Sequence, residues 1–379
     1  MGQRKSGHVT LLDIARASGF SVSTVSIVLS EAPLSQNVAA TTREHIRSIA
    51  RQLGYHPDAY ARSLRRRSTQ TIGVLAFDLS DPFCTPIMRG IQGTLREAGY
   101  LPLIVDAQAQ RKLFDSSLHM VLERRADGVI VIASWVFEET NLLSDVKKNK
   151  VPIVIIGRDL VGRGIDSILV DNEAGGALAA RHLKDLGHTR IAVIRGPQEM
   201  VDSGPRWAGI RRIANGGGLA IDPTLVFDLP NIADPASGFE GGLQTARRMI
   251  ASARPFTAVI AFDDLTALGV VRGLAEAGLR VPDDCSVMGF DDVLPAEVAT
   301  PSMTTIRQPL TRMGCEAAER VLQAIRRGPG KGEKARLHKP SPELVVRMST
   351  APPPIEVKPI QRTLPPERRR SMRRAPANV

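Results

Sequence analysis

The side chains that could do chemistry gather in two places. Near the amino terminus, Ser21-Val22-Ser23-Thr24-Val25-Ser26 sets hydroxyls and small apolar groups on the opening turns of a short helix. Such a surface suits DNA, because base edges ask for matching donors, acceptors or methyl contacts, whereas phosphates ask only for hydroxyls, amides or cations. In the body, Asp291 follows Met288-Gly289-Phe290, Asp263 follows Ala261-Phe262, and Arg206 precedes a helix just after the Gly196-Pro197 turn. Two carboxylates and a guanidinium suit a polyhydroxylated ligand, since carboxylates accept from adjacent hydroxyls and arginine donates to oxygens. As structural groups the same three would be helix caps or a buried ion pair. Ligand binding is the favoured reading for Arg206 and Asp291, and helix capping for Asp264 and Asp292.

The elements that position the first group form a helix-turn-helix over Thr10 to Leu29. Thr10 caps the first helix, Asp13 lies in its positive first turn, and Leu11, Ile14 and Ala15 share a buried face. Gly19 breaks it. Ser21 caps the second helix, with Phe20 and Val25 placed as a hydrophobic staple. A helix so presented enters the major groove by its first turn. A third helix has Ile46, Ile49, Ala50 and Leu53 for its buried face, and Ala39 stands where a capping side chain would help.

From Thr71 onward, strand-like apolar runs alternate with amphipathic helical segments, which implies parallel sheets covered by helices. Thr71–Ala76, Leu101–Val105, Gly128–Ile132, Pro152–Ile156 and Ser167–Val170 make one set; Arg190–Ile194, Leu225–Phe227, Ala258–Ala261, Cys285–Met288 and Leu344–Val346 make another. Two sets mean two lobes, divided at Asp171-Asn172, with Thr304 to Pro309 returning the chain so that helix Leu310 to Arg326 packs on the first lobe. Ligands of open parallel sheets bind beyond the carboxyl ends of the strands, where Arg206, Asp263 and Asp291 stand.

Of the net charge of +11 over 379 residues, +6 falls in residues 1–67 and +5 in residues 353–379, leaving the middle neutral. A basic head and a basic tail on a neutral body fit a nucleic-acid partner. No apolar run approaches a membrane span and the amino terminus lacks the apolar core of a signal peptide, so a cytoplasmic location is expected. Cys84, Cys285 and Cys315 are read as reduced thiols, two of them buried. The nucleophile elbow, the P-loop and clustered histidines are missing, which argues against an enzyme or a metal site and calls for no cofactor. Gly216-Gly217-Gly218 ends a helix at Asn215 and is read as a loop.

Thr10-Leu11-Leu12-Asp13-Ile14-Ala15 with Gly19-Phe20-Ser21-Val22-Ser23-Thr24-Val25-Ser26, then Leu53-Gly54-Tyr55-His56-Pro57, Ala61-Arg62-Ser63-Leu64, Val170-Asp171-Asn172, Gly289-Phe290-Asp291-Asp292 and Thr304-Thr305-Ile306-Arg307-Gln308-Pro309, stand in an order that resembles the LacI/GalR family of transcription regulators. The resemblance covers residues 10 to about 352. It implies a small all-α helix-turn-helix head (9–56), a hinge helix and linker (57–70) and a two-lobed α/β body like periplasmic binding proteins (71–352), while the Pro- and Arg-rich composition of 353–379 implies a disordered basic tail. Lobe 1 would hold about 71–170 plus 306–330, and lobe 2 about 171–305 plus 340–352.

By family position, Val22, Ser23 and Ile27 face base edges, and Ser21, Thr24, Ser26, Ser30, Thr42 and Tyr55 contact the DNA backbone. Ile27 replaces a usual arginine and offers only apolar contact, which favours A and T in the operator. Ala61 and Leu64 match the hinge residues that open the minor groove. Arg206, Asp263 and Asp291 match effector-contacting positions, and Phe83, Asp81, Arg158 and Asp166 match first-lobe positions that vary with ligand class. Ile232-Ala233 stands where relatives place a stacking aromatic. The implied partners are a near-palindromic DNA operator, a sugar-like effector and a second copy of the chain, with no membrane. The expected function is repression. A solute-binding transport component and a ligand-responsive activator are the alternatives.

The tail is expected to add nonspecific DNA affinity. A chain ending at Pro352 should then bind random duplex more weakly and with a shallower salt dependence than the full chain. Equal salt-dependent binding removes that role.

Overall fold

A computed structural model describes residues 9–30, 33–55, 68–123, 126–133, 151–198, 200–229, 238–328 and 334–355. The expectations placed on Ala61, Leu64, Ile232-Ala233 and the tail beyond 355 lie outside these residues. The chain divides into two units, Met1–Thr71 and Ile72–Val379.

In the first unit, helix α1 (Leu11–Ser18) opens on a reciprocal cap: the Thr10 hydroxyl accepts the Asp13 amide, and the Asp13 carboxylate accepts the Thr10 amide at 2.9 Å. Gly19, at φ 75°, closes it by donating to the Ala15 carbonyl. Helix α2 (Val22–Leu29) starts where Ser21 Oγ accepts the Thr24 amide at 3.1 Å, and the chain bends by 110° between the two helices. Helix α3 (Ala40–Gln52) has no side-chain cap at Ala39. Ile14, Ala15, Val25, Val28, Ile46 and Ala50 form the core, with Phe20, Ile49 and Tyr55 packed around it. Leu53 does not join them: it is 40% exposed, because it sits at the helix C-cap past the last turn. A short 3-10 turn, Pro33–Asn37, fills the connection and receives Arg43 Nη1 on the Ser35 carbonyl.

The second unit contains two parallel sheets. Strands β1 (Thr71–Ala76), β2 (Leu101–Asp106), β3 (Gly128–Ile132), β4 (Ile153–Ile156), β5 (Asp166–Ile168) and β11 (Leu337–His338) form the first, in the order β11-β5-β4-β3-β1-β2. Its Ile72, Val74 and Ile130 pack against helices α4 (Cys84–Glu97) and α11 (Leu310–Arg327), and Leu75, Val129 and Val131 against α5 (Arg111–Glu123). Burial on both faces explains why β1, β3 and β4 read as unbroken apolar runs. Strands β6 (Ile191–Arg195), β7 (Val226–Asp228), β8 (Ala258–Ile260) and β9 (Ser286–Met288) form the second, in the order β7-β6-β8-β9. Helices α6 (Asn172–Asp185) and α7 (Ser203–Asn215) cover one face of it, and α8 (Gly238–Ala251) and α9 (Asp264–Glu276) the other. Cys84 and Cys285 are buried and Cys315 half-buried.

Three segments cross between the lobes. The first links β5 to α6 through residues 169–171; the second is β10 (Thr305–Arg307), leading into α11; the third leads from β11 into β12 (Glu343–Val345). Expectation and structure part here. Leu344–Val346 was read as a strand of the second parallel sheet, but β12 runs antiparallel to β10 with Ile306 opposite Leu344, because the returning chain lies alongside the outgoing one. Leu337–His338 extends the first sheet beside β5, a strand too short for any sequence pattern to announce. The first and third crossings are also joined, Leu169 donating to the His338 carbonyl at 3.0 Å and Asp171 to that of Pro340 at 3.1 Å.

Helix pairs approach backbone to backbone at glycines. A Cβ on Gly176 would lie 2.1 Å from the Arg206 carbonyl oxygen, and one on Gly209 would lie 2.0 Å from that of Glu173, so α6 and α7 meet at a distance only hydrogen permits. Gly209→Ala should therefore lose about 1 to 3 kcal/mol in urea unfolding through overpacking. Gly93→Ala, whose Cβ would meet nothing within 4 Å on α4, should gain about 1 kcal/mol from helix propensity.

Candidate functional site

On the head, the opening turn of α2 is the open surface. Ser21, Val22 and Ser23 are exposed, and Thr24, Ser26, Ile27 and Ser30 are half-buried around the core residues Val25 and Val28. Ser21 Oγ also lies 2.9 Å from Thr24 Oγ1, so the cap orders two of the hydroxyls expected to meet phosphates. Thr42 and Tyr55 are half-buried, Tyr55 against the head core.

In the body, Arg206, Asp263 and Asp291 all lie just past the carboxyl ends of the second sheet's strands β6, β8 and β9. Helix α7 begins at Ser203, so Arg206 lies within its first turn rather than before it. Ser203 Oγ donates to the Gly196 carbonyl at 2.8 Å and anchors that turn on the end of β6. The guanidinium is buried between two rings, 3.6 Å from the Phe290 centroid and 4.6 Å from that of Phe262. Its Nε donates to Asn172 Oδ1 at 2.8 Å and Nη1 to the Phe262 carbonyl at 2.7 Å, leaving Nη2 3.6 Å from Asp291 Oδ1. Asn172 in turn donates to Asp202 Oδ1 at 2.7 Å. Asp202 holds the N-cap position of α7, yet its carboxylate makes no cap.

Asp291 has φ 109°, a conformation uncommon for a residue with a Cβ, and Gln308 Nε2 donates to its Oδ1 at 2.5 Å. Asp263 is the N-cap of α9, with Oδ1 accepting the Thr266 amide at 2.7 Å and Oδ2 meeting no donor among the described residues. The capping roles expected of Asp264 and Asp292 are thus corrected. Asp264 is a buried tie that accepts Thr305 Oγ1 at 2.6 Å and the Val293 amide at 2.9 Å, and Asp292 joins Arg307 and Arg347, each at 2.6 Å. Backbone order explains the first: Asp263 has the extended conformation a cap needs, whereas Asp264 is already helical.

Burial pushes the Asp291 carboxyl well above the ordinary range against the pull of Arg206, and Asp264, Asp263 and Asp81 add repulsion. Asp264 is raised to about 7 by burial, with the Thr305 and Val293 hydrogen bonds opposing. Asp81, from the first lobe, is raised to about 6, again by burial, with Asp263 and Asp78 repelling it. Asp81 therefore faces the second lobe's acids, as a cleft residue would.

The other first-lobe candidates separate. Phe83 is half-buried beside the core at the start of α4, and Arg158 is half-buried just past β4. Asp166 is not brought to the cluster. It opens β5, two residues short of the strand end, where its Oδ1 accepts the Arg336 amide at 2.8 Å and pairs with Arg320 at 3.9 Å. Asn172, Asp202, Gln308 and the two phenylalanines carry much of the site without having been assigned a role. Among the described residues no cluster of His, Cys, Asp and Glu could hold a metal, and no single helix is long and apolar enough to cross a membrane.

Residues 10–58 match the profile of bacterial regulatory proteins of the lacI family, and residues 180–350 that of the periplasmic binding protein-like domain. The chain is 30% identical over 344 residues to the HTH-type transcriptional regulator DegA of Bacillus subtilis (strain 168), covering 90% of this chain and 98% of that protein. The chain belongs to the lacI family. Relatives of this LacI-family chain also include the HTH-type transcriptional repressor PurR of Vibrio campbellii, 33% identical over 338 residues, with 89% of this chain and 97% of that one covered. Among solved structures, the lac repressor dimer bound to operator and the anti-inducer ONPF superposes with a TM-score of 0.78 at 27% identity, covering 91% of this chain and all 100% of that one. A CelR–cellobiose complex follows at TM-score 0.65 and 28% identity, covering 90% and 100%. A regulator from Enterococcus faecium with bound ribose gives 0.64 at 28% identity, covering 74% and 99%. This LacI-family chain is a DNA-binding transcription regulator with a ligand-binding body, not an enzyme, which replaces the transport alternative.

Folding raises the proton affinity of Asp81, so its carboxylate form costs stability above about pH 6 and that cost fades as pH falls toward the unfolded value. Asp81→Asn keeps an acceptor for the Phe83 amide, 3.0 Å away. The variant should exceed the parent in stability at pH 8 by on the order of 1 kcal/mol and lose the advantage by pH 4, as read by chemical denaturation.

Proposed function

We propose that this LacI-family regulator is a dimeric repressor of a near-palindromic operator, controlled by a small polyhydroxylated effector, a sugar or sugar derivative, in the cleft between its lobes. The observation that carries the effector reading is the buried Arg206 aligned with Asp291 across a 3.6 Å gap, longer than a hydrogen bond and open to a bridging hydroxyl. Asp263 Oδ2 and Asp81 add acceptors around it. The relatives solved with cellobiose and with ribose, and the PurR relative described as a repressor, support the sugar and repressor readings. Arg206, Asp263, Asp291 and Asp81 are the proposed contacts, with Phe83 and Arg158 at the first-lobe wall.

For DNA, the proposed reading head spans 9–56. Val22, Ser23 and Ile27 face the bases, and Ser21, Thr24, Ser26, Ser30, Thr42 and Tyr55 face the phosphates; Ala61 and Leu64 would enter the minor groove from the 57–70 hinge. The effector and dimerisation body spans 71–352. Exposed apolar side chains on the edge strand β2 (Leu101, Leu103, Ile104) and on the short helix α10 (Leu294–Val298) at Leu294 and Val298 support a second copy as the partner covering them.

Thermal unfolding of the full chain against sugars, sugar phosphates, sugar acids, polyols and nucleobases tests the effector class. A sugar at about a hundred times its dissociation constant should add roughly 2.7 kcal/mol. Arg206→Ala and Asp291→Ala should abolish the shift; a hit among nucleobases alone, or a shift surviving in both variants, contradicts the reading. In cells, deletion should raise a reporter driven by the regulated promoter. Falling expression would make the chain an activator.

A further inference from the structure

The same two side chains that face the cleft are hydrogen-bonded to the segments that join the lobes. Arg206 Nε reaches Asn172, the first residue of α6 and the end of the first crossing. Asp291 Oδ1 accepts from Gln308, which follows β10 in the second crossing, and the Asp291 amide donates to the Ile306 carbonyl at 2.8 Å. Asn172 and Gln308 are themselves buried and have their amide groups committed at the pair: Asn172 bridges Arg206 to Asp202, and Gln308 donates to Asp291. The third crossing is not independent either, since it is hydrogen-bonded to the first at Asp171–Pro340 and to the second through β10 and β12.

We propose that Asn172 and Gln308 are positioning residues that couple the Arg206–Asp291 pair to both crossings, so that a ligand entering the pair is felt at the two places where one lobe turns against the other. Arg206 has three directions of contact and no slack: two rings confine its plane, and its Nε and Nη1 are held by Asn172 and the Phe262 carbonyl. A hydroxyl bridging Nη2 and Asp291 moves Asp291 relative to this fixed cation, or moves the cation relative to Asn172. Either displacement must be absorbed at Gln308 or at Asn172, because an unpaired polar group at those buried positions is costly. Hinge closure in two-lobed proteins depends on a few such junction residues.

This inference rests on the effector reading of the cleft, but its test needs no ligand. Amide hydrogen exchange is followed in the full chain over residues 168–175 and 303–310, with strand β3 as the reference for global opening. Asn172→Ala should speed exchange in 303–310, and Gln308→Leu in 168–175, each by about fivefold or more. Both cross effects should vanish in an Arg206→Met background, which a purely local structural role would not produce. If Asn172→Ala does not fold, Asn172→Ser carries the same comparison. Changes confined to the mutated segment, cross effects that persist without Arg206, or a matching rise in β3 would overturn the coupling. A flat sugar panel beside intact cross effects would instead overturn only the effector reading.

Discussion

A guanidinium taken out of water must have its charge opposed and its donors met, and the second lobe is arranged around that requirement at Arg206. Removing an ion from water costs several kcal/mol unless geometry restores the lost hydration. Here Phe262 and Phe290 supply two faces, Asn172 and the Phe262 carbonyl take two donors, and Asp291 stands opposite the third. The arrangement needs α7 pressed onto α6, which the glycines at 176 and 209 allow. It also needs Asp291 at φ 109° just past β9, where Gln308 and the Ile306 carbonyl hold it.

The acids around this cation exceed what it can neutralise. Asp81, Asp264 and Asp291 are all pushed upward, and buried Asp202 is raised too despite Arg206 and Asn172. A site so poised does not invite an anion. Hydroxyl groups suit it, because each can donate to a carboxylate and accept from the guanidinium, and protonated carboxyls can reverse the roles. On the proposed reading, a basic head serves a polyanion and an acidic cleft serves a neutral polar effector.

Much of this was legible in the residues. The head is written in local signals, since Thr10, Asp13, Gly19 and Ser21 bond to backbone groups within four positions of themselves. Most parallel strands announced themselves as apolar runs because both faces are covered. What escaped was non-local. Nothing near Leu344 says that its partner is Ile306 rather than a strand of the second sheet, and Asp166 carries no mark of Arg336, which is 170 positions away in the chain. Asp263 and Asp264 are adjacent and alike, and only the backbone angle at 263 decides which is the cap. Asn172 and Gln308 lay within quoted motifs, but their role depends on side chains at 206 and 291 brought to them by the fold.

The most direct measurement is the affinity of the full chain for a duplex it has itself selected from random sequences, titrated with the sugar panel for the parent and for Arg206→Ala. The account predicts that both proteins select the same near-palindromic sequence, and that one sugar changes the parent's affinity while leaving the variant's unchanged. A variant that responds as the parent does, or a parent that selects no sequence, would contradict it.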